Sequence, residues 1–356
     1  MAITIAPELE ARPALIGQFL PWRQTKPLIA ALSLIFISSL TAGDARAAEA
    51  QSGQGADMPV KMQDIKGWRT LAPFERKLAR AEAKQLRYFQ FSLDGGAKVS
   101  LLLHEGDAQK GGHHKGGGLR LAAKLSPKCE PTSKQAKENK ALAALNGGYF
   151  NLSDGASIGY VVVDGTVQAD PNNNQALLQN PKLRPFLPQI FKRSELRVME
   201  DGSGALHYTV AAHDAPLPQG LKLVDSLQGG PRLLPDLTAS QEAFVRIEAD
   251  GHESDSIGAK LTAARTAIGL CDNGGFMLVC VAGKKQDEFS AGLTLADLAK
   301  LLSNLGAREA LNFDGGTSTT MVLKGGALQS GRDYCMLVGR EPETLVKSTL
   351  CLIEQK

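Results

Sequence analysis

Short runs of alternating apolar and polar residues, broken by glycine-rich turns, predict that most of the chain from Tyr88 onward forms β-strands. Two such runs, 88–91 and 99–103, flank Asp94-Gly95-Gly96. Two hairpins are expected, one over 159–167 and one over 197–210, because each contains a turn sequence between two apolar runs. The continuous apolar run 276–281 predicts a strand buried on both faces.

Fewer segments have the periodicity of a helix. A helix opened by Thr294 and ended by Gly306 is predicted by one apolar stripe, which consists of Leu295, Leu298, Leu301, Leu302 and Leu305. Thr132 or Ser133 can cap a second helix, and the segment Glu75–Leu86 suggests a short, weakly amphipathic third. The pattern therefore predicts an α+β fold, with a mixed, mostly antiparallel sheet core and a few packed helices.

The start of the chain has the order of a secretory signal peptide. Arg23 and Lys26 precede the apolar run 27–40, and Ala45-Arg46-Ala47 offers a cleavage site. We therefore expect a signal peptide over 1–47, a linker with a short helical segment over 48–87, and one functional domain over 88–356. The protein would be exported, to the periplasm or beyond the cell, with no stable membrane span after cleavage; an uncleaved N-terminal anchor is the alternative.

Composition removes some classes of function. A net charge of +3 on 356 residues indicates no surface for a polyanion, so nucleic acid is not an expected partner. Five cysteines in an exported chain permit up to two disulfides, and Cys271–Cys280 and Cys335–Cys351 are candidate pairs. His113-His114, flanked by glycines, is interpreted as a loop tip rather than a metal site. No metal site and no cofactor are predicted, and a need for a divalent cation is left open.

One stretch concentrates candidate chemistry. Residues 311–314 have the pattern of a strand end, with Asn312 and Asp314 on one face, and Gly315-Gly316 then permits a tight turn and close approach to a ligand. Four hydroxyl residues follow at 317–320. A carboxylate, glycine N–H groups and hydroxyls together suit an oxygen-rich, anionic substrate. The alternative is a polar turn between two buried strands.

Three further motifs combine glycines with polar side chains. Asn146-Gly147-Gly148 follows a small apolar strand, Gly229-Gly230-Pro231 marks a strand edge, and Arg265-Thr266 begins an apolar strand. A guanidinium suits phosphate or carboxylate. Taken alone, the first could be a plain hairpin turn and the last a surface arginine.

The four motifs, in this order, resemble those of the phosphodiester glycosidase family, from about Tyr88 to the C-terminus. The resemblance implies hydrolysis of a sugar-1-phosphodiester and convergence of the motifs on one pocket. The last loop departs from the family pattern: it has Gly-Gly-Thr-Ser-Thr where relatives more often have a third glycine and a serine pair. The long loop 169–187, a candidate rim or lid, is also particular to this chain. These departures bear on substrate choice more than on fold.

A mechanism with one carboxylate follows from this resemblance. Because phosphate has a second pKa near ~6, it can leave without a general acid. We expect Asp314 to act as nucleophile or base, and Arg265 to clamp the phosphate with help from glycine N–H groups. The predicted substrate-binding residues are Asn146, Gly147, Gly148, Gly230, Thr266, Asn312, Gly315, Gly316, Thr317 and Ser318.

Two other functions remain open at this stage. One is a phosphodiesterase that attacks phosphorus, and the other is a non-catalytic protein that binds an envelope glycan. Aromatic residues make up only 5% of the chain, which disfavours a carbohydrate module built on stacking platforms. The partner that the resemblance implies is a glycosyl phosphodiester, with a cell-envelope glycan as the alternative.

Overall fold

The computed structural model describes residues 70–76, 78, 86–106 and 118–355. The predicted signal peptide, most of the predicted linker and His113-His114 lie outside the described residues. The strands, in chain order, are β1 Thr70–Arg76, β2 Leu86–Leu93, β3 Lys98–His104, β4 Leu119–Pro131, β5 Ala143–Asn146, β6 Val161–Val163, β7 Thr166–Ala169, β8 Ser194–Glu200, β9 Leu206–Ala212, β10 Lys222–Gln228, β11 Arg232–Leu234, β12 Val245–Ile247, β13 Glu253–Asp255, β14 Arg265–Leu270, β15 Phe276–Val281, β16 Glu309–Asn312, β17 Met321–Lys324, β18 Tyr334–Val338 and β19 Leu345–Glu354. The α-helices are α1 Thr132–Glu138, α2 Gln175–Leu178, α3 Leu187–Phe191 and α4 Leu295–Asn304.

A seven-stranded sheet in the order β1-β2-β3-β15-β14-β16-β11 is covered on both faces. Alternate residues of its central strands enter different cores: Ile268 and Leu278 pack in one, and Ala267 and Val279 in the other. Helix α4 covers the second face with its leucine stripe. The central strands are therefore buried on both sides, as the continuous apolar run of β15 predicts.

Two five-stranded sheets share the first of these cores. Their orders are β7-β6-β10-β8-β9 and β18-β17-β5-β19-β4. Leu196 of β8 and Leu145 of β5 pack in the same cluster as Ile268 of β14, so all three sheets meet there. Strands β12 and β13 form a separate small ribbon. Every strand pair in the described ranges is antiparallel, and the predicted α+β fold is confirmed.

Elements with strong local signals agree with the sequence. The β6–β7 hairpin turns through Asp164-Gly165, both with positive φ (48° and 74°), as a two-residue turn of the primed type requires. The β8–β9 hairpin also forms as predicted. Thr294 caps α4 by accepting a hydrogen bond from the Asp297 amide. The helix predicted near Thr132 forms as α1, but it already includes Thr132 and Ser133, and no side chain caps its start at Pro131, so the predicted cap was wrong.

Two further predictions of local structure were wrong, at least in part. The helix predicted over Glu75–Leu86 is replaced at both ends by strand, because Glu75 lies in β1 and Leu86 opens β2; residues 77 and 79–85 lie outside the described residues. The loop predicted over 169–187 contains α2 and two turns of 3₁₀-helix, Pro171–Asn173 and Arg184–Phe186. Asp170 caps the first 3₁₀ turn and Asn174 caps α2, which accounts for these two polar residues in the segment.

All five cysteines are free, and the strand order explains why neither candidate pair forms. Cys280 lies opposite Thr266 in the β14–β15 pair, whereas Cys271 follows Leu270 at the other end of β14. Cys335 is on β18 and Cys351 on β19, with β17 and β5 between them. In the described part, no helix is both long enough and apolar enough to span a bilayer.

Candidate active site

The buried side chain of Asn146 joins three segments that are distant in sequence. Its Nδ2 donates to the main-chain oxygen of Asp314 at 2.6 Å. Its Oδ1 accepts from the Thr266 hydroxyl at 2.7 Å and from the Thr320 amide at 3.0 Å. The motifs predicted to converge are thus in direct contact, although Asn146 is fully enclosed and holds protein rather than substrate.

The sheet order explains this convergence. The segment Phe313–Thr320 connects β16 of the seven-stranded sheet to β17 of a five-stranded one. On one side β16 pairs with β14, and on the other β17 pairs with β5, so the ends of β14 and β5 flank the connection. The Phe313 amide donates to the Thr266 carbonyl at 2.8 Å, which continues the first pairing into the loop.

Asp314 lies at the start of this loop and is a partly exposed residue. Its amide donates to the Gly147 carbonyl at 3.1 Å. Burial raises the pKa of the Asp314 carboxyl to about 6, although hydrogen bonds from the Ser318 side chain and the Gly315 backbone act in the opposite direction. A carboxyl that titrates near pH 6 in a partly exposed residue suits a base or nucleophile.

The rest of the loop separates its hydroxyl groups into two sets. Gly316 has φ +59°, and its amide donates to the Ala264 carbonyl at 2.9 Å, so the chain turns sharply after Gly315. Thr317 remains half-exposed. Within the described ranges the hydroxyls of Thr319 and Thr320 are buried and have no hydrogen-bond partner. Ser318 is also buried, whereas Asp314, Gly315, Gly316 and Thr317 are at least partly exposed, so the front of the loop at 314–317 can face a substrate.

The glycines of the Asn146 motif serve chain packing. The Gly147 amide donates to the Ser348 carbonyl at 2.8 Å, and the Gly148 amide to the Ser348 hydroxyl at 3.1 Å. A Cβ on Gly148 would lie 2.3 Å from the Gln228 carbonyl oxygen. These N–H groups are therefore not available to an anion, contrary to the role that we predicted for them.

Arg265 is also engaged with protein atoms. Its side chain, 3% exposed, donates to four main-chain carbonyls, which belong to Leu293 (2.9 Å), Ile257 (3.1 Å), Gly258 (2.5 Å) and Leu261 (2.8 Å). Burial lowers the pKa of the guanidinium from its usual range. The group supports the segment 257–261, so a phosphate in this site needs a different cation.

Gly230 and Asn312 belong to a buried cluster around the Tyr149 hydroxyl. Asn312 Nδ2 donates to the Tyr149 oxygen at 2.9 Å and to the Gly230 carbonyl at 3.0 Å, and the Tyr149 hydroxyl donates to that carbonyl at 2.9 Å. Burial, with a smaller effect of the Asp314 charge, raises the pKa of Tyr149 far above its usual range. The phenol therefore stays protonated beside Asp314. Its place in the Asn-Gly-Gly-Tyr run is the signal that could have identified it.

A second buried acid, Glu242, lies against the same edge. Its Oε1 accepts from the Ser194 hydroxyl at 2.7 Å, from the Arg232 amide at 3.1 Å and from the Thr238 hydroxyl. Its Oε2 is enclosed and faces Gly230. No sequence motif indicated Glu242. Through Oε1 the carboxyl ties β8 to β11, and the residue also borders a cleft of about 430 Å³ that includes Ser194 and Thr238.

A cleft of about 400 Å³ adjoins the front of the Asp314 loop. It is lined by Thr262, Ala263, Ala264, Gly283, Lys284, Lys285, Gln286, Ala291, Gly316 and Thr317. A larger cleft of about 680 Å³, bordered by Arg120 and Lys124, contains none of the motif residues. Across the residues that the structure describes, no three His, Cys, Asp or Glu side chains are grouped as metal ligands.

Comparison with known proteins adds a family to this geometry. A family model described as phosphodiester glycosidase matches residues 139–336, a range that includes Asn146, Arg265 and Asp314. The N-acetylglucosamine-1-phosphodiester alpha-N-acetylglucosaminidase of Mus musculus is 27% identical over 195 residues. This alignment covers 54% of the chain but only 34% of the mouse protein, so the chain spans about a third of that relative.

Two solved structures resemble the fold. One is the zebrafish N-acetylglucosamine-1-phosphodiester alpha-N-acetylglucosaminidase catalytic domain, auto-inhibited by its pro-peptide, with a TM-score of 0.50 and 19% identity over 80% of this chain and 89% of that one. The other is a hypothetical protein from Synechocystis, with a TM-score of 0.48 and 16% identity over 76% of this chain and 62% of that one. At such identities the zebrafish structure bears on the fold alone.

Proposed function

The chain belongs to the phosphodiester glycosidase family, and on that premise we propose that it hydrolyses the bond between the anomeric carbon of a sugar and a phosphodiester. The observation that carries the proposal is Asp314, a partly exposed residue whose carboxyl has a pKa of about 6 and which lies where the family's motifs meet. A carboxyl with these properties can be ionised at neutral pH and still accept a proton in the reaction.

The reaction adds the elements of water across the anomeric C–O bond. Oxygen from water becomes the new hydroxyl of the sugar, and the phosphate leaves with the electrons of the broken bond as a phosphomonoester. Asp314 acts in one of two ways: it removes the proton of the attacking water, or it attacks carbon to form a glycosyl ester that water then cleaves. The first inverts the anomeric configuration and the second retains it.

A single accessible carboxylate is sufficient for this leaving group. Most glycosidases need a second acid to protonate a departing alkoxide, whereas a phosphate with a second pKa near ~6 leaves unprotonated. We assign Glu242 to structural support, because its Oε1 accepts hydrogen bonds from Ser194, Arg232 and Thr238. We assign the protonated Tyr149 hydroxyl a structural role, because it hydrogen-bonds to Gly230 and Asn312.

The remaining predicted residues divide between support and contact. We assign Asn146, Gly147, Gly148, Gly230, Thr266, Asn312 and Arg265 to positioning of the Asp314 loop. Substrate contact is assigned to the exposed front of that loop, at Gly315, Gly316 and Thr317, and the buried Ser318 lies behind it. Ser318 also orients the carboxyl, because its side chain hydrogen-bonds to Asp314. The substrate class is a glycosyl phosphodiester of envelope or extracellular glycoconjugates.

Export is part of the proposal and depends on sequence alone. Arg23 and Lys26, the apolar run 27–40 and Ala45-Arg46-Ala47 have the order of a cleavable signal. The mass of the protein recovered from the periplasm or medium checks this. A chain that begins near residue 48 supports export, and an intact chain recovered only from the cytosol contradicts it.

Hydrolysis in ¹⁸O-labelled water tests the reaction. The purified protein is incubated with a panel of synthetic sugar-1-phosphodiesters, with and without chelator, beside its Asp314→Asn variant. We expect label in the sugar and a rate at least ~10²-fold lower for the variant, with Asp236→Asn, an exposed aspartate, unaffected. Label in the phosphate would instead indicate attack on phosphorus. Near-full turnover by the Asp314 variant, or no turnover of any diester, would contradict the proposal.

A further inference from the structure

The cleft beside the Asp314 loop has a positively charged wall. Its lining includes Lys284 and Lys285 and no acidic side chain. Both lysines are exposed, and neither is in an ion pair among the residues that the structure describes. The acids that follow them do not neutralise the cleft: Asp287 pairs with Lys98, and Glu288 does not line it. The cleft therefore presents two free cations.

The segment with these lysines is fixed to the active-site loop. Gln286 Nε2 donates to the Gly316 carbonyl at 2.7 Å, and its Oε1 accepts from the Gly283 amide at 3.2 Å. The Ser290 hydroxyl donates to the Ala282 carbonyl, which closes the far end of the segment. The two lysines thus lie at the tip of an anchored turn, two residues or fewer from a direct contact with the Asp314 loop.

The part of the cleft lining at residues 262–264 is closely packed. A Cβ on Gly283 would lie 2.8 Å from the Ala264 nitrogen, and a Cβ on Gly292 would lie 2.3 Å from the Ala263 carbonyl oxygen. The strand entry 262–264 is therefore packed closely between two glycines. Arg265 supports the same part of the lining through its hydrogen bonds to Leu261 and Leu293. Arg265, which we had predicted to bind phosphate, therefore supports the cleft lining, whereas the positive charge in the cleft comes from Lys284 and Lys285.

We propose that Lys284 and Lys285 bind the phosphate of the substrate and stabilise the charge that it gains as it leaves. The proposal rests on the function proposed above and names the leaving-group subsite of that same site. A phosphodiester carries one negative charge, and the phosphomonoester released carries up to two near neutral pH. Cations at this position stabilise the transition state more than the bound diester, so they raise kcat as well as affinity.

A double variant, Lys284→Ala with Lys285→Ala, tests the subsite by two measurements. Lys222→Ala is the matched control, because Lys222 is an exposed lysine on β10, outside the sheet that contains the cleft. The first measurement is kcat/KM on a sugar-1-phosphodiester as ionic strength rises. We expect the double variant to be about tenfold slower, with the larger part in kcat and a weaker dependence on salt, and the control to lie within twofold of the parent protein.

The second measurement is the binding of inorganic phosphate by calorimetry, which needs no turnover. We expect binding by the parent protein and the control, and at least a tenfold weaker association for the double variant. Equal rates and equal phosphate binding in the double variant overturn the subsite and leave the proposed function standing. If the parent protein hydrolyses no diester, the proposed function fails, yet phosphate binding lost only in the double variant still supports the anion subsite. Absence of phosphate binding by the parent protein overturns it.

Discussion

The side-chain amide of Asn146 donates a 2.6 Å hydrogen bond to the main-chain oxygen of Asp314, 168 positions further along the chain. The contact is buried and direct, so Asn146 sets the backbone position of the proposed catalytic residue. The sequence had suggested that this asparagine would contact substrate. It instead provides the connection between two sheets from which the site is built.

Replacement of Asn146 by alanine should therefore act mainly by lowering the stability of the folded protein. The variant loses the bond to Asp314 and leaves the Thr320 amide and the Thr266 hydroxyl without their buried acceptor. We expect the free energy of unfolding to fall by about 2–4 kcal/mol in urea titrations. Asn173→Ala, at an exposed position, is the control and should change it by less than ~0.5 kcal/mol. Comparable stability of both variants would contradict the supporting role.

We also expect a side chain at Gly148 to lower stability, because the backbone of another strand lies against this position. An alanine there would place Cβ 2.3 Å from the Gln228 carbonyl oxygen, and because that atom is main chain the strand must shift. We expect Gly148→Ala to lower the free energy of unfolding by about 3 kcal/mol or more, or to prevent folding. Gly202→Ala, in open space, should be neutral or stabilising by up to ~1 kcal/mol. Thermal melts of the pair measure the difference, and equal melting temperatures would show that the approach is not tight.

Local features of the fold were predictable because their causes are local. The Asp164-Gly165 turn needs only two residues that tolerate positive φ, and α4 needs only its cap and its leucine stripe. The helix predicted over 75–86 was wrong at its ends, since pairing of β1 with β2 overrides a weak helical pattern there. Disulfide pairing depends on strand order, which no spacing of cysteines reveals.

The residues of the site were easier to find than their roles. Asparagine and arginine side chains can bind a ligand, or they can hydrogen-bond to buried main-chain groups. Glycines can likewise approach a ligand or another segment of backbone, and the sequence does not distinguish these roles. Arg265 and Thr266 are neighbours on β14, so their side chains lie on opposite faces of the sheet. Arg265 donates to the Leu293 carbonyl, whereas Thr266 donates to the Asn146 side chain. Glu242 was missed because its carboxyl is recognisable only from the distant groups, Ser194 and Arg232, that donate to it.

The reassignment of Arg265 can be measured directly. A lysine at this position cannot reproduce four hydrogen bonds from a planar guanidinium, so Arg265→Lys should lower the free energy of unfolding by about 2–4 kcal/mol. Inhibition of the folded variant by inorganic phosphate should stay within about twofold of that of the parent protein. Arg332→Lys, an exposed position, is the control for stability. A large loss of phosphate affinity in a stable Arg265 variant would instead support the original prediction that Arg265 binds the phosphate.

The rate should depend on pH through Asp314. Since the ionised carboxylate is the active form and its pKa is about 6, kcat/KM should rise through about pH 6 and then level off. The hydrogen bond from Ser318 lowers this pKa, so Ser318→Ala should move the rise to higher pH, by about 0.5–1 unit. Ser240→Ala, an exposed serine, should leave the profile in place. A shift to lower pH would contradict the assignment.

Asp314 should also reduce the stability of the protein at the pH where it is active. The pKa of about 6 in the folded protein lies above the ordinary value of 3.8, so the native state holds the proton more tightly than the unfolded chain does. The stabilising contribution of the protonated group is complete below pH 3.8 and is lost as pH rises through 6. Asp314→Asn cannot ionise and keeps that contribution.

The free energy of unfolding of Asp314→Asn, relative to the parent protein, should therefore increase between pH 4 and pH 7.5. The difference in pKa corresponds to at most ~3 kcal/mol, and because the residue is partly exposed we expect a gain of about 1–2 kcal/mol. Urea titrations at the two pH values measure it, with Asp236→Asn as an exposed control that should show no such trend. Stability that is lost above pH 6 in the parent protein and retained in an inactive variant would mark Asp314 as a residue kept for reaction rather than for folding. A pH-independent difference would instead show that folding does not raise the pKa of Asp314.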